Sequence, residues 1–138
     1  MKIKDVMTHD VSFVTPDAPV AEIARRMRDQ DIGSVPIAEN DRLIGMVTDR
    51  DIVVRCVASG SLEGATARTA MSPRVLYCYE DQSLNEVLEN MAEQQVRRMP
   101  VVSRDKRLVG VVSIGDLSQK SQRKAGESLK EISQPPPP

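Results

Sequence analysis

Two stretches carry the residue types from which chemistry could be built: Gly45-Met46-Val47-Thr48-Asp49-Arg50-Asp51 and Gly110-Val111-Val112-Ser113-Ile114-Gly115-Asp116. Each reads glycine, two apolar residues, a hydroxyl residue, two variable positions and an aspartate. A Thr or Ser with an acid three residues on suits the start of a helix, where the hydroxyl caps and the carboxylate complements the helix dipole. The same physics suits binding. Free N–H groups at a helix start attract anions, and a carboxylate there can accept two hydrogen bonds from a ribose diol. A lone cap is common; two at matching places carry more.

Other chemistries find little support. His9 is the only histidine, so a histidine-based triad or a zinc site has no second partner. Cys56 and Cys78 have neither a CxxC spacing nor a neighbouring histidine and read as small packing residues. Asp51 and Asp116 lack a proton-transfer partner, and no nucleophile–base pair or metal cluster emerges. The chain therefore does not read as an enzyme. Its net charge of −1, with the first 64 residues acidic and the remainder slightly basic, provides no global field for nucleic acid or membrane. The basic run Lys120-Ser121-Gln122-Arg123-Lys124 lacks aromatics for base stacking and reads as a solvated helix end. Without a long apolar run or a signal-peptide core, the expected location is the cytoplasm.

The elements that must hold the two stretches come from a repeat. Sliding the sequence by 64 superimposes Met7 on Met71, Val11 on Val75, Asp17 on Asp81, Glu22 on Glu86, Met27 on Met91, Gln30 on Gln94, Pro36 on Pro100 and Asp41 on Asp105. After one extra residue, Leu43, Gly45, Val47 and Asp51 meet Leu108, Gly110, Val112 and Asp116. The 138 residues thus hold a unit written twice: repeat 1 over 1–57, a linker at 58–67, repeat 2 over 68–122, and a flexible tail at 123–138.

Val20, Ile23, Ala24 and Met27, like Leu84, Val87, Leu88 and Met91, follow the spacing of an amphipathic helix. The second helix opens with a capping box at Ser83, and the first has Pro19 near its first turn. Each is followed by an apolar run containing a proline, a polar turn and a second apolar run, which reads as a hairpin. The prolines suggest edge positions or strand starts. A first strand (Val11–Thr15, Val75–Tyr79) leads in, and a closing helix starts at Asp49 or Ile114. Each repeat is then β-α-β-β-α, giving an α+β class. With one Phe, two Tyr and no Trp, the core must be built from Val, Ile, Leu, Met and Ala.

These residues resemble a tandem pair of CBS (cystathionine β-synthase) domains, a Bateman module. The likeness covers roughly residues 4–120. It rests on Met-Thr near the repeat start, the apolar-Pro-apolar strands and the Gly-to-Asp motif, and it is similar to small bacterial CBS-pair proteins of the hypoxic-response type. The resemblance implies two repeats packed about a pseudo-twofold axis, with adenine nucleotides (AMP, ADP, ATP or S-adenosylmethionine) in the cleft between them. It also implies a homodimer forming a disc of four CBS units, with output through a separate, unidentified protein. Carried over residue by residue, Asp51 and Asp116 hold ribose, while Thr48 and Ser113 lie beside ribose or phosphates. The strand leads Val96-Arg97-Arg98-Met99-Pro100 and Ile32-Gly33-Ser34-Val35-Pro36 face the ligand. Arg97 and Arg98 offer cations where Gly33 and Ser34 offer none, and Arg50 adds a third, so the Thr48/Asp51 site is expected to take the phosphorylated ligand. Met99 is expected at the adenine edge. The competing reading is an interaction or scaffold protein that has lost nucleotide binding.

Overall fold

The computed structural model describes residues 1–9 and 11–120, so the expected tail lies outside the described residues. The chain divides into two compact units: a continuous one, Ser12–Val75, and a split one, Met1–Val11 together with Leu76 onward.

The continuous unit holds α1 (Val20–Gln30), β1 (Ser34–Glu39), β2 (Arg42–Thr48), α2 (Asp49–Ile52), a π-helical segment (Val53–Val57) and α3 (Ala67–Ala70). Pro19 stands at the N-cap of α1, and Val20, Ile23 and Met27 are buried on one face. Ala24, expected on that face, is exposed. Its single methyl has little to gain from burial, and three larger side chains suffice to seat the helix. β1 and β2 pair antiparallel through a two-residue turn whose members, Asn40 (φ 53°) and Asp41 (φ 65°), both take the left-handed conformation that matches hairpin twist.

The split unit opens with a 3-10 turn (Ile3–Asp5) and continues with β3 (Cys78–Tyr79), α4 (Leu84–Gln94), β4 (Arg98–Val102), β5 (Leu108–Ser113) and α5 (Ile114–Lys120). The strand order is β3-β4-β5. At the start of α4, Ser83 Oγ accepts from the Glu86 N–H at 3.2 Å. The Ser83 hydroxyl in turn donates to the Glu86 carboxylate at 3.2 Å, so the serine caps the helix as expected, but the backbone half of the expected box is replaced by a side-chain contact. Leu84, Val87, Met91, Met99, Val101 and Val112 build the core as counterparts of positions buried in the continuous unit, and Leu88, which aligns with exposed Ala24, is buried with them. Both hairpins carry an irregularity at the same repeat position, after Ile37 and after Val101.

Two expectations need correction. Pro36 and Pro100 are not at sheet edges, since β4 is the middle strand of its sheet and β1 has β2 on one side and Val14 on the other. The first strands are also shorter than their apolar runs. One reduces to a bridge from Val14 to Ile37, the other to Cys78–Tyr79 paired parallel with Val101 and Val102. One cause explains both. Val14 N–H donates to the Pro36 carbonyl at 3.1 Å, and Ala38 N–H donates to the Val14 carbonyl at 3.0 Å. The next rung upstream would need an N–H from Pro36, which has none, so the parallel ladder stops there. Pro100 stands at the same register beside Cys78.

The outer side of each hairpin is closed by a segment from the other sequence repeat. Met46 and Ser72 exchange backbone hydrogen bonds (3.1 and 2.9 Å) in the continuous unit, as do Thr8 and Val111 (2.9 and 3.0 Å) in the split unit. Repeat boundaries and compact units therefore cut the chain at different places.

Candidate functional site

Each unit presents a corner where a strand turns into a helix. In the continuous unit Thr48 ends β2 and caps α2. Its Oγ1 accepts from the Asp51 N–H at 3.1 Å, and its own N–H donates to Asp51 Oδ2 at 2.9 Å. This reciprocal box is the bland role expected of the motif, and it has a second effect. With Oδ2 held, the half-buried Asp51 carboxylate has a fixed orientation, and Oδ1 accepts no hydrogen bond among the described residues.

The segment before β1 closes the corner. Asp49 N–H donates to the Gly33 carbonyl at 3.0 Å, and Ser34 stands opposite Thr48 in the hairpin register. The Arg50 side chain is exposed on α2. Val35 and Pro36 are buried, so only the backbone there can meet a ligand.

The split unit repeats this arrangement with a looser carboxylate. Asp116 N–H donates to Ser113 Oγ at 3.1 Å, but the Asp116 carboxylate makes no return bond among the described residues. Ile114 N–H donates to the Arg97 carbonyl at 2.9 Å, and Arg98 pairs with Ser113 across β4 and β5. The structure thus brings Arg97, Arg98, Ser113 and Asp116 to one end of the split unit, and Gly33, Ser34, Thr48, Arg50 and Asp51 to one end of the continuous unit. Both arginines are exposed. Met99, expected at an adenine edge, is instead fully buried in the split unit's core with Leu88 and Met91. Its strand is the middle one of the sheet and is buried on both faces from Met99 to Val102. Pro100 is buried as well.

The glycine of each motif has a steric cause. A Cβ on Gly45 would lie 2.7 Å from Met71 Sδ and 3.1 Å from the Ser72 carbonyl. On Gly110 it would lie 2.5 Å from Met7 Sδ and 2.9 Å from the Thr8 carbonyl. The glycines therefore admit the Met7-Thr8 and Met71-Ser72 segments against β5 and β2.

Sequence reasoning missed two features. Arg55 Nη1 donates to the carbonyls of Ala70 (3.2 Å) and Met71 (2.7 Å). The signal available was the repeat itself, since the second offset aligns Arg55 with Lys120. On the split unit, Arg104 lies 4.1 Å over the Tyr79 ring and forms a two-pronged pair with Asp81 (2.8 and 2.7 Å), while Lys106 lies 5.3 Å over Tyr77. Arg104 holds the Asp81 carboxyl below its ordinary pKa.

The cysteines are inert packing groups. Cys56 and Cys78 are buried, and burial pushes the Cys78 thiol up to about 12. Among the described residues, no group of three or more His, Cys, Asp or Glu side chains is placed to hold a metal, and no helix is long and apolar enough to cross a membrane.

Comparison with known proteins adds to this geometry. The family model for the CBS domain matches residues 3–57 and 67–122. An uncharacterized Bacillus subtilis protein, YlbB, is 39% identical over 137 residues, covering 96% of this chain and 92% of its own length. Hypoxic response protein 1 of Mycobacterium tuberculosis is 40% identical over 118 residues, covering 84% and 82%. Among solved structures, Hypoxic Response Protein I with two coordinated zinc ions matches with a TM-score of 0.75 and 39% identity, covering 86% of this chain and 98% of its own. CBSX2 in complex with AMP matches at 0.77 with 21% identity (88% and 96% covered). The CBS domain pair of MJ0100, in complex with 5-methylthioadenosine and S-adenosyl-L-methionine, matches at 0.73 with 24% identity (90% and 98% covered).

Proposed function

Because the chain belongs to the CBS-domain family, as a tandem pair, we propose that it is a non-catalytic regulatory module whose ligand is an adenosine compound. The observation that carries this reading is the oriented Asp51 carboxylate at the Thr48 corner, with one oxygen held and the other open. A carboxylate fixed in this way accepts a ribose hydroxyl without first having to be ordered. That CBSX2 was crystallised with AMP, and MJ0100 with 5-methylthioadenosine and S-adenosyl-L-methionine, supports the same ligand class.

Asp51 and Asp116 accept from ribose hydroxyls, Thr48 and Ser113 lie beside them, and Arg97, Arg98 and Arg50 supply charge to phosphates. The Asp51 corner takes the phosphorylated ligand, since Arg50 stands beside it where the Asp116 corner has Gly115, and its held carboxylate favours tighter ribose binding than the unheld one of Asp116. Isothermal titration with AMP, ATP and S-adenosylmethionine tests this. Charge-assisted hydrogen bonds contribute about 1.5–3 kcal/mol, so Arg97→Ala/Arg98→Ala weakens AMP about 10- to 100-fold and leaves S-adenosylmethionine far less affected. Equal AMP affinity in the wild type and the double variant would remove the arginines from the assignment. A wild type that binds none of the three would leave the interaction protein as the better reading.

One observation favours association as part of the function. Val53, Val54 and Val57 on the π-helical segment are each more than half exposed, and Leu62 follows at 46%. Such a cluster on one face is an unusual use of valine on a water-facing helix. We propose a second copy of the chain as its occupant, because a two-fold pairing sets this one apolar face against itself. Sedimentation velocity should show a dimer at micromolar concentration, reduced to monomer by Val54→Lys. A wild-type monomer throughout would refute the pairing.

A further inference from the structure

We infer that Arg55 is a positioning residue for the Thr48/Asp51 corner. Arg55 lies on the π-helical segment that runs on from α2, so it is carried by the same helical stretch as Asp51. Its guanidinium reaches 15 and 16 residues along the chain to the carbonyls of Ala70 and Met71, at 3.2 and 2.7 Å. Those carbonyls close α3, where the helix leaves its last acceptors without an internal partner.

The chain just beyond those carbonyls gives the contact its reach. Met71 packs its sulfur into the space left by Gly45, and Ser72 exchanges two backbone hydrogen bonds with Met46 on β2. Two residues further along β2 is Thr48, which meets Asp51 in the capping box. The contacts form a closed ring: Asp51, along the helix to Arg55, across to Met71 and Ser72, across to Met46, along the strand to Thr48, and back to Asp51. Every link lies in the continuous unit. The box and the Asp49 N–H bond to the Gly33 carbonyl join the helix half of the corner to the strands directly, and Arg55 adds a tie through the Met71-Ser72 segment that flanks β2. Removing it leaves the corner without that flanking tie.

The functional consequence rests on reading this corner as the ligand site; the mechanical one does not, and the two can be measured apart. Amide hydrogen exchange is followed by NMR in ligand-free wild type, Arg55→Ala and Arg55→Lys. The reporters are the N–H groups of Met46, Ser72 and Asp51. Two controls stand outside the ring. Ala38 N–H, bonded to the Val14 carbonyl, reports opening of the whole continuous unit, and Asp116 N–H, bonded to Ser113 Oγ, reports the matching corner of the split unit.

The expected result is exchange about tenfold faster at the three reporters in Arg55→Ala, with both controls unchanged and most of the protection regained in Arg55→Lys. Unchanged reporters, or a rise shared equally by Ala38, would overturn the assignment; the latter would make Arg55 a general stabiliser. Titration of AMP into the same variants reads the consequence for binding. Affinity should fall several-fold in Arg55→Ala, and loosened reporters with unaltered affinity would overturn the positioning role. If the wild type itself binds no AMP, ligand assignment fails, and the exchange data still decide whether Arg55 holds the corner. Should Arg55→Ala fail to fold, Arg55→Gln with the same reporters replaces it.

Discussion

Adding one methyl group to either motif glycine should destabilise the protein, and the two costs should differ in a predictable order. At Gly45 the new Cβ meets Met71 Sδ at 2.7 Å and the Ser72 carbonyl at 3.1 Å. The sulfur ends a flexible part of the side chain and can swing aside, while the carbonyl must give a few tenths of an ångström. At Gly110 the Cβ meets Met7 Sδ at 2.5 Å, Met7 Cγ at 2.9 Å and the Thr8 carbonyl at 2.9 Å. Both carbonyls are tied into backbone bridges, to Met46 and to Val111, so the closer approach at Gly110 forces the larger shift of its segment. Overpacking costs about 1–3 kcal/mol, which places Gly45→Ala near the lower end and Gly110→Ala at or above the upper one. At roughly 4 °C per kcal/mol, the melting temperature should drop by about 4 °C and about 12 °C respectively.

Thermal and urea unfolding, followed by circular dichroism, measure both. Truncating Met71 to alanine in the Gly45→Ala background should restore part of the loss from the sulfur contact, and Met7→Ala should restore less in Gly110→Ala because the carbonyl remains. If both glycine variants melt with the wild type, or Gly45→Ala is the more damaged, the close approach of these segments is not what the glycines serve.

The remaining expectations concern single groups. Thr48→Ala should cost about 1 kcal/mol through loss of the cap, with Thr48→Ser close to wild type; a neutral Thr48→Ala in urea unfolding would discount the box. Iodoacetamide should leave Cys56 and Cys78 unmodified in the native protein at pH 8 and label both in urea, so rapid native labelling would contradict their burial. Since Cys78 titrates near 12 when folded, against an ordinary 9.0, its neutral thiol supports the folded state below pH 9. That support is lost as pH rises from about 9 towards 12, and Cys78→Ala should show a flatter decline over the same range. Arg104→Ala should raise the Asp81 carboxyl towards its ordinary value, read by carbon NMR; with Arg104 present, the pairing is lost only as pH falls through the lowered value, below 3.8. An Asp81 titration indifferent to Arg104 would count against that pair.

Much of this architecture can be read from residue order. The i, i+3, i+4, i+7 spacing places α1 and α4, and the apolar runs around polar turns place both hairpins. The Thr48 and Ser113 caps fall where the motif puts them, because capping depends on residues three apart. What escaped depends on partners distant in sequence. An apolar pattern states which face of a strand is buried and is silent about which segment lies beside it. Nothing in Met7-Thr8 shows that it pairs with Val111, although Gly110, a glycine inside an apolar run, signals that some backbone comes close. Met99 misled because β4 is the middle strand of its sheet and is buried on both faces after Arg98, a position in the sheet that its own residues do not reveal. The shortened first strands were legible in principle, since proline removes the donor that the next rung requires. Arg55 left only the faint trace of a basic counterpart at Lys120.

The split unit also sets a timetable for synthesis. Its strap at Thr8 pairs with Val111, over a hundred residues later, whereas everything in Ser12–Val75 is available well before. As the polypeptide leaves the ribosome, the continuous unit can close first, and Ile3 and Lys4 can meet Gln82 and Glu80 next, while Thr8 has no partner on β5 until Val111 emerges. Loop closure over that span is slow compared with hairpin formation, which makes the pairing of Thr8 with Val111 a late folding step.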